Sequence, residues 1–144
     1  MKTLEQYIPI GTRHKLLFTS HHPEGMEHVD MGALLARDIE SSLFDRHLPL
    51  IADDAVENII KDHVKHNDEL GNYIAIRNIG ILFEPALRLD LHAKLSSWSR
   101  TYTLIVNCAE GTIKNNTFYL AGAIDQSYSI DLSDISYKIH YDEI

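Results

Sequence analysis

The sequence predicts an α/β fold: a mostly parallel sheet flanked by helices, with a short antiparallel β extension at the C-terminus. Short apolar runs of strand length alternate with longer segments whose apolar residues recur every three to four positions, the pattern of strand–helix–strand units. The last part of the chain loses that helical spacing and shows apolar–polar alternation instead. The chain's 144 residues suffice for one core and not for two, so residues 1–144 read as a single domain.

His14 to Ser20 (HKLLFTS) is the first predicted strand. Asp30 then caps a helix whose stripe is Met31, Leu34, Leu35 and Ile39. Leu48 to Ile51 reads as a short strand. Asp54, with Glu57 three residues on, opens a helix carrying Val56, Ile59, Ile60 and Val64. Gly71 stops it, and Tyr73 to Ile76 is a further strand. Ile79 to Phe83 reads as a connector or short helix before Pro85. Asp90 opens a helix with Leu91, Leu95 and Trp98 inward, and Tyr102 to Val106 is a strand rich in β-branched residues. Thr112-Ile113 and Thr117 to Leu120 flank the turn Lys114-Asn115-Asn116 as a hairpin. Ile135, Tyr137, Ile139 and Tyr141 alternate with polar neighbours, which predicts short antiparallel strands.

Thirteen Lys and Arg against 21 Asp and Glu give a net charge of -8, which opposes non-specific gripping of phosphate backbones. Cys108 is the single cysteine, so no internal disulfide forms and a reducing cytoplasm is the expected setting. No apolar run approaches the ~20 residues of a membrane span, and no membrane role is expected.

In open parallel α/β sheets, chemistry concentrates where a strand's carboxyl end leads into a helix. Here that loop runs Ser20-His21-His22-Pro23-Glu24-Gly25-Met26-Glu27. Its spacing fits the phosphate-binding pattern G-x-x-x-x-G-K-[ST], with Ser20 at the first glycine, Gly25 at the second, Met26 at the lysine and Glu27 at the Ser/Thr. Met26 supplies no charge to a phosphate, while Glu24 and Glu27 supply the wrong sign. Two like charges about 4 Å apart repel by about 4 kcal/mol at an effective dielectric of about 20. The acid that should end a later strand is also missing: Ile76 is followed by Arg77, Asn78, Ile79 and Gly80. The domain is therefore read as P-loop NTPase-like with vestigial motifs, the loop at Ser20, Gly25, Met26 and Glu27 and the strand end at Arg77.

The segment Ile74-Ala75-Ile76-Arg77-Asn78-Ile79-Gly80-Ile81-Leu82-Phe83-Glu84-Pro85-Ala86-Leu87-Arg88-Leu89-Asp90, followed by Ser99-Arg100-Thr101-Tyr102-Thr103-Leu104-Ile105-Val106, resembles the BrxF-like small P-loop proteins of BREX bacteriophage-defence systems. The resemblance covers residues 72–107, and the loop by spacing only. It implies a P-loop-like fold and an accessory place among other protein subunits of a defence complex, or in a homo-oligomer. The changes at Ser20, Met26, Glu27 and Arg77 imply a pseudo-NTPase that acts by protein–protein interaction, with no catalytic residue, nucleotide, cofactor or metal. Two alternatives stand beside it: a nucleotide binder or ATPase completed by a partner subunit, and a DNA-contacting adaptor.

Other constellations have bland readings. His21, His22 and His28 near Glu24 and Glu27, and His63 and His66 near Asp62 and Asp68, match no standard ligand spacing and read as surface or cap histidines. The first cluster also suits a pH-sensitive surface. Cys108 stands at a strand end, where nucleophiles occur, but without a G-x-S-x-G elbow it reads as a small packed residue. Trp98 and the tyrosines with Arg77, Arg88, Lys94 and Arg100 would suit nucleic acid. Their interleaving with Leu91 and Leu95 favours a core helix with solvated charges. The acidic tail, Asp125 to Glu143, reads as a solvated or partner-facing surface.

Overall fold

A computed structural model describes residues 14–19, 27–68, 70–108, 111–120 and 129–140. The strands are β1 (Leu16–Thr19), β2 (Val29–Asp30), β3 (Lys65–Asn67), β4 (Gly71–Arg77), β5 (Thr103–Asn107), β6 (Thr112–Lys114), β7 (Thr117–Tyr119), β8 (Ser129–Asp131) and β9 (Tyr137–His140). The helices are α1 (Met31–Ile39), α2 (Leu48–His63) and α3 (Leu91–Thr101), with short 3-10 turns at Glu40–Ser42, Gly80–Phe83 and Pro85–Leu87.

The main sheet has the order β2-β4-β5-β1-β9 with every neighbouring pair parallel. β3 adds an antiparallel pairing at the outer side of β4, along Gly71 to Tyr73, while β2 pairs Ile76 and Arg77 farther along. Register puts Leu16 and Phe18 beside Leu104 and Val106, which in turn stand beside Ile74 and Ile76. Alternation sends these six to one face. There they join Met31, Leu35 and Ile39 of α1, Val56, Ile59 and Ile60 of α2, and Leu95 and Trp98 of α3 in one cluster. Burying each such side chain contributes about 1.5–3 kcal/mol. Leu17, Ala75 and Ile105 form a second, smaller cluster on the opposite face, with Leu70 packed against it.

The parallel sheet with helices and the antiparallel extension are both present. β6 and β7 form the expected hairpin around Asn115 and Asn116, whose φ values of 53° and 59° suit the left-handed positions of a tight two-residue turn. β8 completes this second sheet. Phe118 of β7 is fully buried and stacks on Phe18 at 5.2 Å, tying the small sheet to the main one.

Several expectations are corrected. α2 starts at Leu48 and ends at His63, so Asp54 lies inside it instead of opening it, and β3 separates its end from Gly71, which begins β4 instead of stopping the helix. Leu48 to Ile51 is the first turn of α2, not a strand: Pro49 lies in that turn, where a backbone N–H would have no intrahelical acceptor and a fixed φ suits the helix. The alternation from Ile135 onward produces β9, which lies parallel to β1 at the edge of the main sheet instead of extending the antiparallel one. Tyr141 lies outside the described residues.

Candidate functional site at the carboxyl edge of the sheet

The carboxyl ends of four parallel strands line up. Asp30 of β2 is in register with Arg77 of β4, Arg77 with Asn107 of β5, and Asn107 with Thr19 of β1. Each lies two residues beyond the second cluster or level with it, so the four positions share the face opposite the helices. Thr19 is fully buried, and the side-chain amide nitrogen of Asn107 is buried with no hydrogen-bond partner among the described residues. The Cys108 N–H donates to the Thr19 carbonyl at 2.9 Å and the thiol is half-buried.

Asp30 is the centre of the edge. Its Oδ1 accepts from the Ala33 N–H at 2.9 Å, capping α1, and from the Asn78 side-chain amide at 2.8 Å. Its Oδ2 lies 3.3 Å from an Arg77 guanidinium nitrogen. The Ala33 N–H first, then the Asn78 amide, hold the Asp30 carboxyl below the usual carboxylate range, with Arg77 adding attraction. Asn78 reaches Asp30 from a left-handed conformation, φ 55°, which asparagine tolerates better than most residues. Gly32 leaves it room: a Cβ there would sit 2.3 Å from the Asn78 amide nitrogen.

Of the predicted motif residues, Ser20, Gly25 and Met26 lie outside the described residues, as do His21, His22 and Glu24. Glu27 is described and exposed, and Lys65 of β3 donates to its carboxylate at 2.8 Å. That hydrogen bond lowers the Glu27 carboxyl and raises the Lys65 ammonium, so the acid expected to repel phosphate is compensated at the sheet edge. Beside this ion pair is a cavity of about 270 Å³ lined in part by Val29, Leu34, His63, Tyr73 and Ala75.

A phosphate cradle at the end of β1 needs the next helix to start there, presenting its free N–H groups. Among the described residues the first helix after β1 is α1, which starts at the end of β2, and both β4 and β5 stand between β2 and β1. The amino end of α1 is occupied by the chain's own Asp30 carboxylate. Asp30 also answers the missing strand-end acid: a carboxylate stands at the end of β4 after all, supplied by the neighbouring strand and paired to Arg77. Sequence reading recognised Asp30 only as a helix cap. Its pairing with Arg77 and Asn78, nearly fifty positions away, leaves no local signal.

The remaining candidates separate. His63 ends α2 and His66 lies on β3, because Val64 between them adopts an extended conformation. The His63 ring bonds the Ile59 carbonyl and the His66 ring the Asn72 side chain. Among the described residues no group of three His, Cys, Asp or Glu side chains is placed to hold a metal ion. Arg77 is paired with Asp30, and Lys94 with Asp53 and Glu57. Arg88 precedes α3 and Arg100 lies in its last turn, so the basic residues do not line one stripe. Trp98 is buried and its indole N–H donates to the Glu57 carboxylate, which makes it a clamp between α3 and α2, not a stacking platform. Among the described residues no helix is long and apolar enough to cross a membrane.

No family model, curated protein or solved structure matches the chain.

Proposed function

We propose that this chain is a non-catalytic accessory subunit of a bacterial anti-phage defence system, a pseudo-NTPase that works in the cytoplasm through protein–protein contacts. The displacement of α1 from the end of β1, together with the closure of its amino end, supports the non-nucleotide part of this reading. A nucleotide's phosphates need open backbone N–H groups and an uncompensated cation. Here Asp30 takes the Ala33 N–H, and its charge is directed at Arg77. An incoming phosphate would have to displace a carboxylate already held by three donors. The fold keeps a rigid parallel sheet, and its surface is available for recognition.

Calorimetric titration of ATP and GTP at millimolar concentration with magnesium tests this. The expected result is no heat of binding. Saturable, magnesium-dependent binding overturns the pseudo-NTPase reading.

A further inference from the structure

We propose that the corner between α1 and α2 is a docking knob for an apolar pocket rimmed by lysine and arginine on a different protein. The proposal rests on the accessory-subunit reading and names the surface that such a subunit would use. Phe44 is 102% exposed relative to a free side chain, Leu43 is 50% exposed and Leu50 is 67% exposed. All three sit between the end of the Glu40–Ser42 turn and the first turn of α2. Three large apolar side chains are thus left in water within eight residues of the chain, Phe44 most of all, where an apolar side chain is ordinarily covered.

The corner is preorganised. The Asp45 N–H donates to the Ser42 carbonyl at 3.0 Å, the Leu48 N–H to the Asp45 carbonyl at 3.1 Å, and the His47 N–H to Oδ1 of Asp45 at 2.7 Å. These bonds set the backbone on both sides of Phe44, so burying its ring in a partner costs little further ordering. An exposed aromatic on a rigid turn has the character of an interface anchor, whereas scattered surface leucines do not.

Charge decides the occupant. Asp38, Glu40, Asp45, Asp53 and Asp54 outnumber Arg37 and Arg46 along the corner, within a chain of net charge -8. Arg37 pairs with Asp38 and Lys94 with Asp53, which leaves Glu40, Asp45 and Asp54 against Arg46. A two-fold contact with a second copy would set this acidic collar against itself. An anionic lipid surface would meet the same repulsion. A cationic rim around an apolar pocket complements both features. The knob alone falls short of the ~800 Å² per partner of a standard interface, so it serves as the centre of a contact whose polar rim is formed by the collar.

The test replaces Phe44 by benzoylphenylalanine in the cell of origin, cross-links, and identifies the adduct. The purified partner is then titrated calorimetrically with wild type and with Phe44→Ser. The exposed position leaves folding intact, which unchanged thermal unfolding of the variant verifies. The expected result is a hetero-adduct, a loss of affinity of about 30-fold or more for Phe44→Ser, and further weakening when salt rises from about 0.1 to about 1 M. An adduct only with a second copy, only with lipid, or with nothing overturns the proposal. Equal affinity of wild type and Phe44→Ser, or salt-independent binding, also overturns it. A partner that binds both forms equally sinks the knob and leaves the accessory reading standing. Magnesium-dependent nucleotide binding does the reverse.

Discussion

Replacing Asp30 with alanine is the sharpest perturbation of the carboxyl edge, because three separate contacts meet on that one carboxylate. Loss of an N-cap acceptor costs about 1 kcal/mol, and the Asn78 amide bond at 2.8 Å adds about 1 kcal/mol. The Arg77 contact at 3.3 Å involves a guanidinium side chain that is 42% exposed, so solvent screening keeps it under about 0.5 kcal/mol. The three share an atom group and do not add fully. Asp30→Ala should therefore lower stability by about 2 kcal/mol, or roughly 8 °C in Tm for a domain of this size. Urea denaturation followed by circular dichroism measures it, with the slope m unchanged. Asp30→Asn retains a capping acceptor and should cost less than about 0.7 kcal/mol. Asp30 is held below its unfolded value, so its contribution is present above that value and lost as pH falls through the folded one. The difference between wild type and Asp30→Ala should therefore shrink in acid. An Asp30→Ala protein within about 0.5 kcal/mol of wild type, or an Asp30→Asn protein just as unstable, would refute the account of this node.

Two further outcomes follow from contacts elsewhere. Trp98→Phe removes the indole N–H that donates to both Glu57 oxygens at 3.0 and 3.1 Å, and should cost about 2 kcal/mol in urea denaturation, chiefly by leaving a half-buried carboxylate without its neutral donor. His92 bonds Asp134, and that hydrogen bond is the leading cause both of the raised imidazole and of the lowered carboxyl. The His92 contribution is complete below its unfolded value and is lost as pH rises through the raised folded one. The Asp134 contribution is lost as pH falls through its lowered value. Thermal unfolding of wild type should decline across that window on the alkaline side and that of His92→Gln should not; parallel profiles would rule out a stabilising His92–Asp134 pair.

Much of the fold was legible because its signals are local. The apolar runs at Leu16 to Phe18, Tyr73 to Ile76 and Leu104 to Val106 became the three inner strands. Asp30 and Asp90 cap α1 and α3 through the Ala33 and Ala93 N–H groups, as their positions predicted. Leu48 to Ile51 reads as a strand because a four-residue apolar run does not distinguish a strand from the first turn of a helix; Pro49, which suits a helix start, is the one local sign of the difference. At the candidate site, the Glu27–Lys65 and Asp30–Arg77 pairs join residues distant in sequence, so neither could be inferred from spacing.

Periodicity and backbone preference within a few residues were enough to locate the three inner strands, α1, α3 and the Asn115-Asn116 turn, but not the short strands β2, β3 and β8 or the bounds of α2. Long-range contacts set β9 parallel beside β1, put β2 and the start of α1 two strands away from β1, and leave Phe44 facing outward. Alternation records which side of a strand is apolar but not which strand will lie next to it. That choice belongs to the packing of the whole chain.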